Sequence, residues 1–255
     1  MGSANAHRGK KDRLDKMLVE KGLVESRHKA QALIMEGKVW VEGKRVEKAG
    51  VQVSQEEVIE IRGETCPYVS RGGSKLEKAL DHWQLPVRGK IFLDAGASTG
   101  GFTDCLLQRG ADRVFAVDVG YGQLAWKLQC DQRVVNIERT NIRYLEKTHL
   151  SAEPDSAVID VSFISLRKVI PKVLELIKKG GDILALIKPQ FEVAKGEVGK
   201  RGVIRDARTH ESVIEEISAF ALETGLAVRG VVESPLMGPK GNREFFIYLK
   251  EEGIT

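Results

Sequence analysis

Residues 91–104 read IFLDAGASTGGFTD. Ile91, Phe92 and Leu93 form a short apolar run that ends in Asp94. Gly96, Gly100 and Gly101 follow with Ser98 and Thr99 between them, and Phe102, Leu106 and Leu107 then recur at helical spacing. A buried strand that ends in a Gly-rich turn and opens a helix brings backbone N–H groups close to a ligand, and side chains at those glycines would block the approach. On the turn alone, a tight strand-to-helix connection without a ligand is the other reading. A second apolar run, Arg113–Val117, ends in Asp118, where a carboxylate accepts hydrogen bonds from both ribose hydroxyls of a nucleoside cofactor. The turn is G-x-x-x-G-G after an acidic residue, not the G-x-G-x-x-G of a dinucleotide site.

Outward from this turn the chain alternates. Strands are expected at 91–93, 113–117, 134–137, 156–159 and 182–187, with helices at 102–108, 122–129, 166–178 and 211–224. Such alternation implies an α/β domain, a doubly wound parallel sheet with helices on both faces. Two further strands, 227–233 and 244–249, close the chain around a hairpin-type connection and add a terminal antiparallel pair. Ligands bind beyond the carboxyl ends of parallel strands, and Asp118, Asp160 and Lys188 stand at three such ends. Asn141 follows the third strand closely, within reach of an adenine or ribose. Residues 190–208 make a long connection directly after Lys188 and read either as a substrate lid or as a surface insertion.

Ahead of this domain lies a smaller α+β module at 12–62. Asp12 is expected to cap a helix bearing Leu14, Met17 and Leu18, and Ser26 a second bearing Ala30, Leu33 and Ile34, closed by Gly22 and Gly37. Short strands at 39–41, 45–46 and 58–61 follow, the first two joined at Glu42-Gly43. Residues 8–48 carry twelve Lys/Arg against seven Asp/Glu, and residues 49–64 one against four, so the helical half is the basic half. Residues 1–11 read as a disordered start, 63–70 as a linker and 71–255 as the α/β domain. Ser74 is expected to cap a helix with Lys75 in its first turn, an electropositive place that would lower the lysine's pKa.

The chain has 255 residues, 42% of them apolar, with net charge +4 and pI about 8.9. That balance is compatible with a polyanionic partner. Cys66, Cys105 and Cys130 are an odd set without metal-ligand spacing and read as reduced thiols of the cytoplasm. The longest apolar runs, such as 183–187, are far too short to span a bilayer, and no signal-peptide pattern opens the chain.

Lys75, Asp160, Lys188 and Glu244 are charged residues expected at element ends on one side of the sheet. Two lysines and two carboxylates in a partly dehydrated pocket can shift one another's pKa values. Lys188, lowered by Lys75 and by desolvation, would serve as a general base toward an alcohol oxygen. Asp160 and Glu244 would orient the lysines and the hydroxyl.

These residues carry resemblances to known families. The turn resembles the first motif of S-adenosylmethionine-dependent methyltransferases, a Rossmann-like fold with a terminal antiparallel hairpin. Arg13-Leu14-Asp15, Gly22-Leu23, Ser26-Arg27, Ala30, Ile34, Gly37, Val39, Val41 and Gly43 resemble the S-four-type RNA-binding domain. That resemblance implies Arg13, Arg27, Lys29, Lys38 and Lys44 as phosphate contacts; as ordinary surface charges they would have no such role. The order and spacing of Lys75, Asp160, Lys188 and Glu244 resemble the tetrad of FtsJ-type ribose 2′-O-methyltransferases. The strings VSRGGSKL, DAGASTGGFTD, DVGYGQL, ERTNIR, DVSFISL, LIKPQFE and GNREFFIYL, with the fused module, are similar to the TlyA family, historically labelled haemolysin A. The resemblance implies S-adenosylmethionine as methyl donor and ribosomal RNA or ribosomal subunits as partner, with no membrane and no obligate protein partner. It implies Lys188 as base, assisted by Lys75, Asp160 and Glu244, and a cofactor set of Gly96, Gly100, Gly101, Phe102, Asp118, Asn141 and Asp160. Thr99 and Asn141 depart from the usual FtsJ-type Pro and Asp. The rival readings are a haemolysin, a non-catalytic RNA-binding factor and a nucleotide-dependent dehydrogenase; the missing spanning segment speaks against the first, and the turn spacing and terminal hairpin against the last.

Overall fold

The structure, a computed structural model, describes residues 11–24, 26–35, 37–62, 66–194, 196, 199, 202–238 and 241–251. The chain divides into two compact units, Met1–Thr65 and Cys66–Thr255. Apart from Lys11, the expected disordered start lies outside the described residues.

In the first unit β1 (Lys11–Arg13) runs straight into α1 (Leu14–Glu20), and α2 (Arg27–Met35) follows. Next come β2 (Val39–Val41), β3 (Lys44–Arg45), β4 (Gln52–Ser54) and β5 (Ile59–Ile61). β3, β2 and β5 form one antiparallel sheet, and β1 pairs with β4. Leu14, Met17 and Leu18 meet Ala30, Leu33, Ile34, Val39, Val41, Val53 and Ile59 in one core, which is what the helical and alternating spacings demand. Glu42 and Gly43 both have positive φ, 47° and 71°, the backbone of a two-residue hairpin turn. Ser26 Oγ accepts the Lys29 N–H at 3.2 Å and so caps α2 as expected. Asp12 does not cap α1. It lies within β1, and Arg13 takes the cap position. The sequence hides this because the partner strand, β4, is three residues long and buries only Val53, too little to show a period.

The second unit opens with α3 (Arg71–His82), β6 (Ile91–Ala95), α4 (Gly101–Gln108), β7 (Arg113–Val117), α5 (Trp126–Gln129) and β8 (Val134–Ile137). It continues through β9 (Ser156–Ile159), α6 (Ile170–Leu176), β10 (Asp182–Ile187), α7 (Pro189–Glu192), α8 (Ala207–Glu223), β11 (Leu226–Glu233) and β12 (Phe245–Glu251). The seven-stranded sheet has the order β11-β12-β10-β9-β6-β7-β8. From β10 to β8 the strands are parallel, and β12 enters antiparallel between β10 and β11. This is the parallel sheet with a terminal antiparallel pair that the alternation predicts.

Strand alternation divides the core. Leu93, Phe115, Ile159, Ile183 and Ile247 pack with Ile170 and Val173 of α6 and Val213 and Ile217 of α8. Phe92, Val114, Val158, Leu184 and Phe246 pack on the other face with Leu76 and Leu80 of α3 and Leu106 of α4.

Three local differences from expectation have identifiable causes. α3 starts at Arg71 after Ser70, not at Ser74. Of the expected linker 63–70, residues 63–65 lie outside the described residues and the rest is tied to the second unit: Tyr68 is buried, its hydroxyl donates to Glu77 at 2.8 Å, and the Val69 N–H donates to Asp104 at 2.8 Å. The helix expected at 122–129 shrinks to α5 because Gly122 keeps a left-handed φ of 64°. The one expected at 166–178 breaks into a 3-10 turn, Leu166–Lys168, and α6. Pro171 sits in the first turn of α6, where its missing N–H costs no bond.

Candidate active site

The glycine turn is built by close approaches inside the protein. Gly96 has φ 92°, and a Cβ there would lie 2.6 Å from the Asp160 carbonyl oxygen. Gly100 has φ 95° and lies against Leu124 and Leu128, while a Cβ on Gly101 would come within 2.2 Å of Ser70 Oγ. Gly101 therefore lets α4 meet the start of α3. Four N–H groups of this turn are used inside the fold. Gly96 and Ala97 donate to Val117 O at 2.9 and 3.1 Å, and Gly100 to Ala97 O at 2.7 Å. Ser98 donates to Asp118 Oδ2 at 2.8 Å. Those four donors are spent within the fold.

Carboxylates line the same edge instead. The alternation that sends Phe92, Ala116 and Val158 to the α3/α4 face carries Asp94 to that face as well and, extended by one step, Asp118 and Asp160. Asp118 is half-buried and accepts from Ser98 N and, at 2.7 Å, from Gly120 N. Asp94 is fully buried. Thr103 Oγ1 donates to its Oδ2 at 2.6 Å, and its Oδ1 has no hydrogen-bond partner among the described residues. Burial pushes the Asp94 carboxyl up to about 7; the Thr103 hydrogen bond opposes this, and the charges of Asp160 and Asp118 add to it. An edge lined with three acids suits a cation such as S-adenosylmethionine, which carries a sulfonium and an ammonium group.

The same extension by one step brings Lys188 from β10 and Glu244 from β12 to this face. Ile187 pairs with Phe245, so Lys188 and Glu244 flank the end of that ladder. Lys188 Nζ lies 2.5 Å from Asp160 Oδ1 and donates to Ser162 Oγ at 3.0 Å. The Asp160 contact is an ion pair outside hydrogen-bonding angles. Lys75, the fifth residue of α3, donates to Glu244 Oε2 at 2.6 Å, and both are buried. The structure thus brings the four charged residues to one edge as two lysine–carboxylate pairs. Lys75 meets a carboxylate rather than the start of a helix.

Other expected residues have different surroundings. Phe102 is buried, and its ring stacks on Phe246 at 6.0 Å. Asn141 Oδ1 accepts from Arg143 N at 3.1 Å and caps a 3-10 turn, Ile142–Tyr144. The segment expected as a lid is held at both ends: Glu192 accepts from Leu166 N at 2.9 Å, and Ile204 N donates to Asn242 Oδ1 at 3.0 Å. Residues 195, 197, 198, 200 and 201 of it lie outside the described residues. In the first unit Arg13 and Arg27 are bound to Asp15, Lys29 and Lys38 are half-buried, and Lys44 is exposed on β3.

Sequence reasoning missed Ser162, Asp94 as a buried acid, and a set of exposed aromatic residues. Tyr121, Tyr144 and Phe163 follow β7, β8 and β9 in the strand-end loops, exposed to 70%, 72% and 90%. Arg139 lies over the Tyr121 ring at 4.0 Å and Arg143 near Tyr144 at 5.2 Å. Phe163 has a φ of 64° and pairs with Phe191 at 4.9 Å. The signal for them was aromatic residues in loops just past strand ends, where a core role is least expected.

Comparison with known proteins gives a matching pattern. The FtsJ-like methyltransferase family model matches residues 68–251, and the S4 domain model residues 12–59. The chain is 44% identical over 241 residues to the 16S/23S rRNA (cytidine-2'-O)-methyltransferase TlyA of Mycobacterium tuberculosis, covering 94% of this chain and 90% of that protein. It is 41% identical over 237 residues to Hemolysin A of Brachyspira hyodysenteriae, covering 92% and 98%. A solved structure of a protein described as a hemolysin from Streptococcus thermophilus superposes with a TM-score of 0.76 at 43% identity, covering 94% of this chain and 88% of that one.

Two predictions follow from this geometry. A Cβ on Gly238 would lie 1.9 Å from Glu244 Oε1, so Gly238→Ala displaces that carboxylate from Lys75. Activity should fall about tenfold or more, and the melting temperature should fall too because a buried lysine loses its partner; unchanged activity would remove Glu244's placement from the account. The second concerns pH. The Asp94 carboxyl titrates higher in the folded chain than in the unfolded one, where it loses its proton near pH 4. Folded-state stability from this group therefore falls as pH rises from about 4 to about 7, and is level above that. Thermal melts of the cofactor-free protein at pH 5 and pH 8 should show a smaller drop for Asp94→Asn than for wild type; equal drops would refute the burial argument.

Proposed function

The chain belongs to the FtsJ-like methyltransferase family, joined to an S4 domain, and takes S-adenosylmethionine as methyl donor; from that premise we propose that it methylates ribose 2′-hydroxyls of ribosomal RNA, with Lys188 as the base. The observation that carries this reading is the two lysine–carboxylate pairs at the edge of β9, β10 and β12. A ribose hydroxyl is a weak nucleophile and must lose its proton as the methyl group moves. The bound cofactor supplies an electrophilic methyl group on sulfonium. Lys188 accepts the hydroxyl proton at Nζ, and Asp160 and Ser162 fix the direction of that amine. Lys75 is held by Glu244, whose other oxygen, Oε1, has no hydrogen-bond partner among the described residues. Asp118 binds the cofactor ribose. Positioning supplies much of the remaining acceleration.

The S4 unit captures structured RNA through its basic half. The exposed aromatic residues and arginines around the strand ends suit unstacked bases, which RNA-modifying proteins hold on aromatic and guanidinium faces. No helix among the described residues is long and apolar enough to cross a membrane. The reading places the protein with its RNA in the cytoplasm.

Lys188→Ala should lower methyl transfer by about 10²–10⁴-fold and leave cofactor affinity near that of wild type. Wild-type turnover in this variant would exclude Lys188 as the base. Asp118→Ala should instead weaken cofactor binding first, read by titration calorimetry; an unchanged affinity would take Asp118 out of the ribose role.

A further inference from the structure

We propose that Asp15 is a positioning residue that holds Arg13 and Arg27 together as one clamp for an RNA backbone phosphate. The proposal rests on the reading of the first unit as an RNA-binding domain and assigns how its arginines are organised.

Asp15 is wholly buried, near the start of α1. Its Oδ1 accepts from Arg13 Nε at 3.0 Å. Its Oδ2 accepts from Arg13 Nη2 at 3.1 Å, Arg27 Nη2 at 2.9 Å and Gln31 Nε2 at 2.8 Å. One carboxylate therefore joins the end of β1, the first turn of α1 and two turns of α2. The arginines it holds are not buried: their side chains are 46% and 55% exposed. A guanidinium carries five N–H donors in a planar fork. Asp15 takes the Nε/Nη2 edge of Arg13 and a single Nη2 of Arg27, so the outer edges of both forks remain for an oxyanion.

Charge points the same way. Two cations share one anion, and the cluster is one negative charge short of neutral. The Arg13 guanidinium, through its hydrogen bonds, holds the Asp15 carboxyl well below the usual carboxylate range, so the anion persists at any pH where RNA is intact. A buried carboxylate is a poor choice for stability alone, since well-packed apolar residues serve as well or better. It is a good choice for fixing two long cationic side chains in advance, which removes their ordering cost from the binding step. Two cations of β3 differ: Lys44 is exposed, and Arg45 pairs with the exposed Glu47.

The test is filter binding of the full chain to labelled ribosomal RNA transcripts across a salt series, with thermal melts of each variant. On charge alone, Asp15→Asn removes an acid from a basic surface and should tighten polyanion binding. The clamp predicts the opposite: affinity about tenfold weaker, with a salt slope shallower by about one phosphate contact. A double variant, Arg13→Lys with Arg27→Lys, keeps the charge and loses the forks; it should also bind about tenfold more weakly, and adding Asp15→Asn to it should cost nothing further. Unchanged or tighter binding by Asp15→Asn, or wild-type binding by the double lysine variant, overturns the clamp while leaving the RNA-binding reading intact. Absence of salt-dependent binding by the wild type overturns that reading and the clamp with it.

Discussion

The buried ion pair between Lys75 and Glu244 joins the first helix of the second unit to the start of its last strand, 169 residues apart in sequence. Two charges at that depth are costly unless they meet with good geometry, and removing one partner alone costs about 3–5 kcal/mol. Much of the surrounding construction serves that meeting. Gly101 lets α4 close on the start of α3, where Ser70 stands at the cap position. Gly238 leaves room for the Glu244 carboxylate, and Ser234 N donates to Glu244 O at 2.8 Å. β12 can deliver Glu244 beside Lys188 only because it enters the sheet antiparallel between β10 and β11. The terminal hairpin is therefore part of the site and not merely a sheet edge.

A second constraint sorts ligands by charge. In many α/β proteins the turn after the first strand presents N–H donors to phosphate. Here four of those donors are satisfied internally, and the adjacent strand ends carry Asp94, Asp118 and Asp160. That edge favours a cationic cofactor. The outer loops carry aromatic rings and arginines, and the first unit holds two arginines on Asp15. A cofactor and a polyanion thus meet surfaces of opposite character.

The strands of the sheet and its terminal antiparallel pair were legible in the sequence because buried parallel strands such as 113–117 and 182–187 are unbroken apolar runs bounded by turns. Asp160, Lys188 and Glu244 were legible because each stands at a strand end, whereas Lys75 lies one turn inside α3. Their pairing was not. Which lysine meets which carboxylate depends on the register of β10 with β12 and on α3 starting at Arg71, and neither leaves a periodic mark. The packing roles of Gly96, Gly100 and Gly101 were hidden for the same reason: a glycine needed for ligand approach and one needed for close packing look alike in sequence. The β1–β4 pair escaped because three-residue strands carry no period. Tyr121, Tyr144 and Phe163 escaped because their signal lies in their place just past strand ends and not in any periodic pattern.

The central claim is that the two lysine–carboxylate pairs act on a ribose oxygen and not on a base. It is tested most directly by incubating the protein with methyl-labelled S-adenosylmethionine and ribosomal RNA, free and within subunits, and digesting the product to nucleosides. The account predicts label in 2′-O-methyl nucleosides. Label confined to base-methylated nucleosides would contradict it.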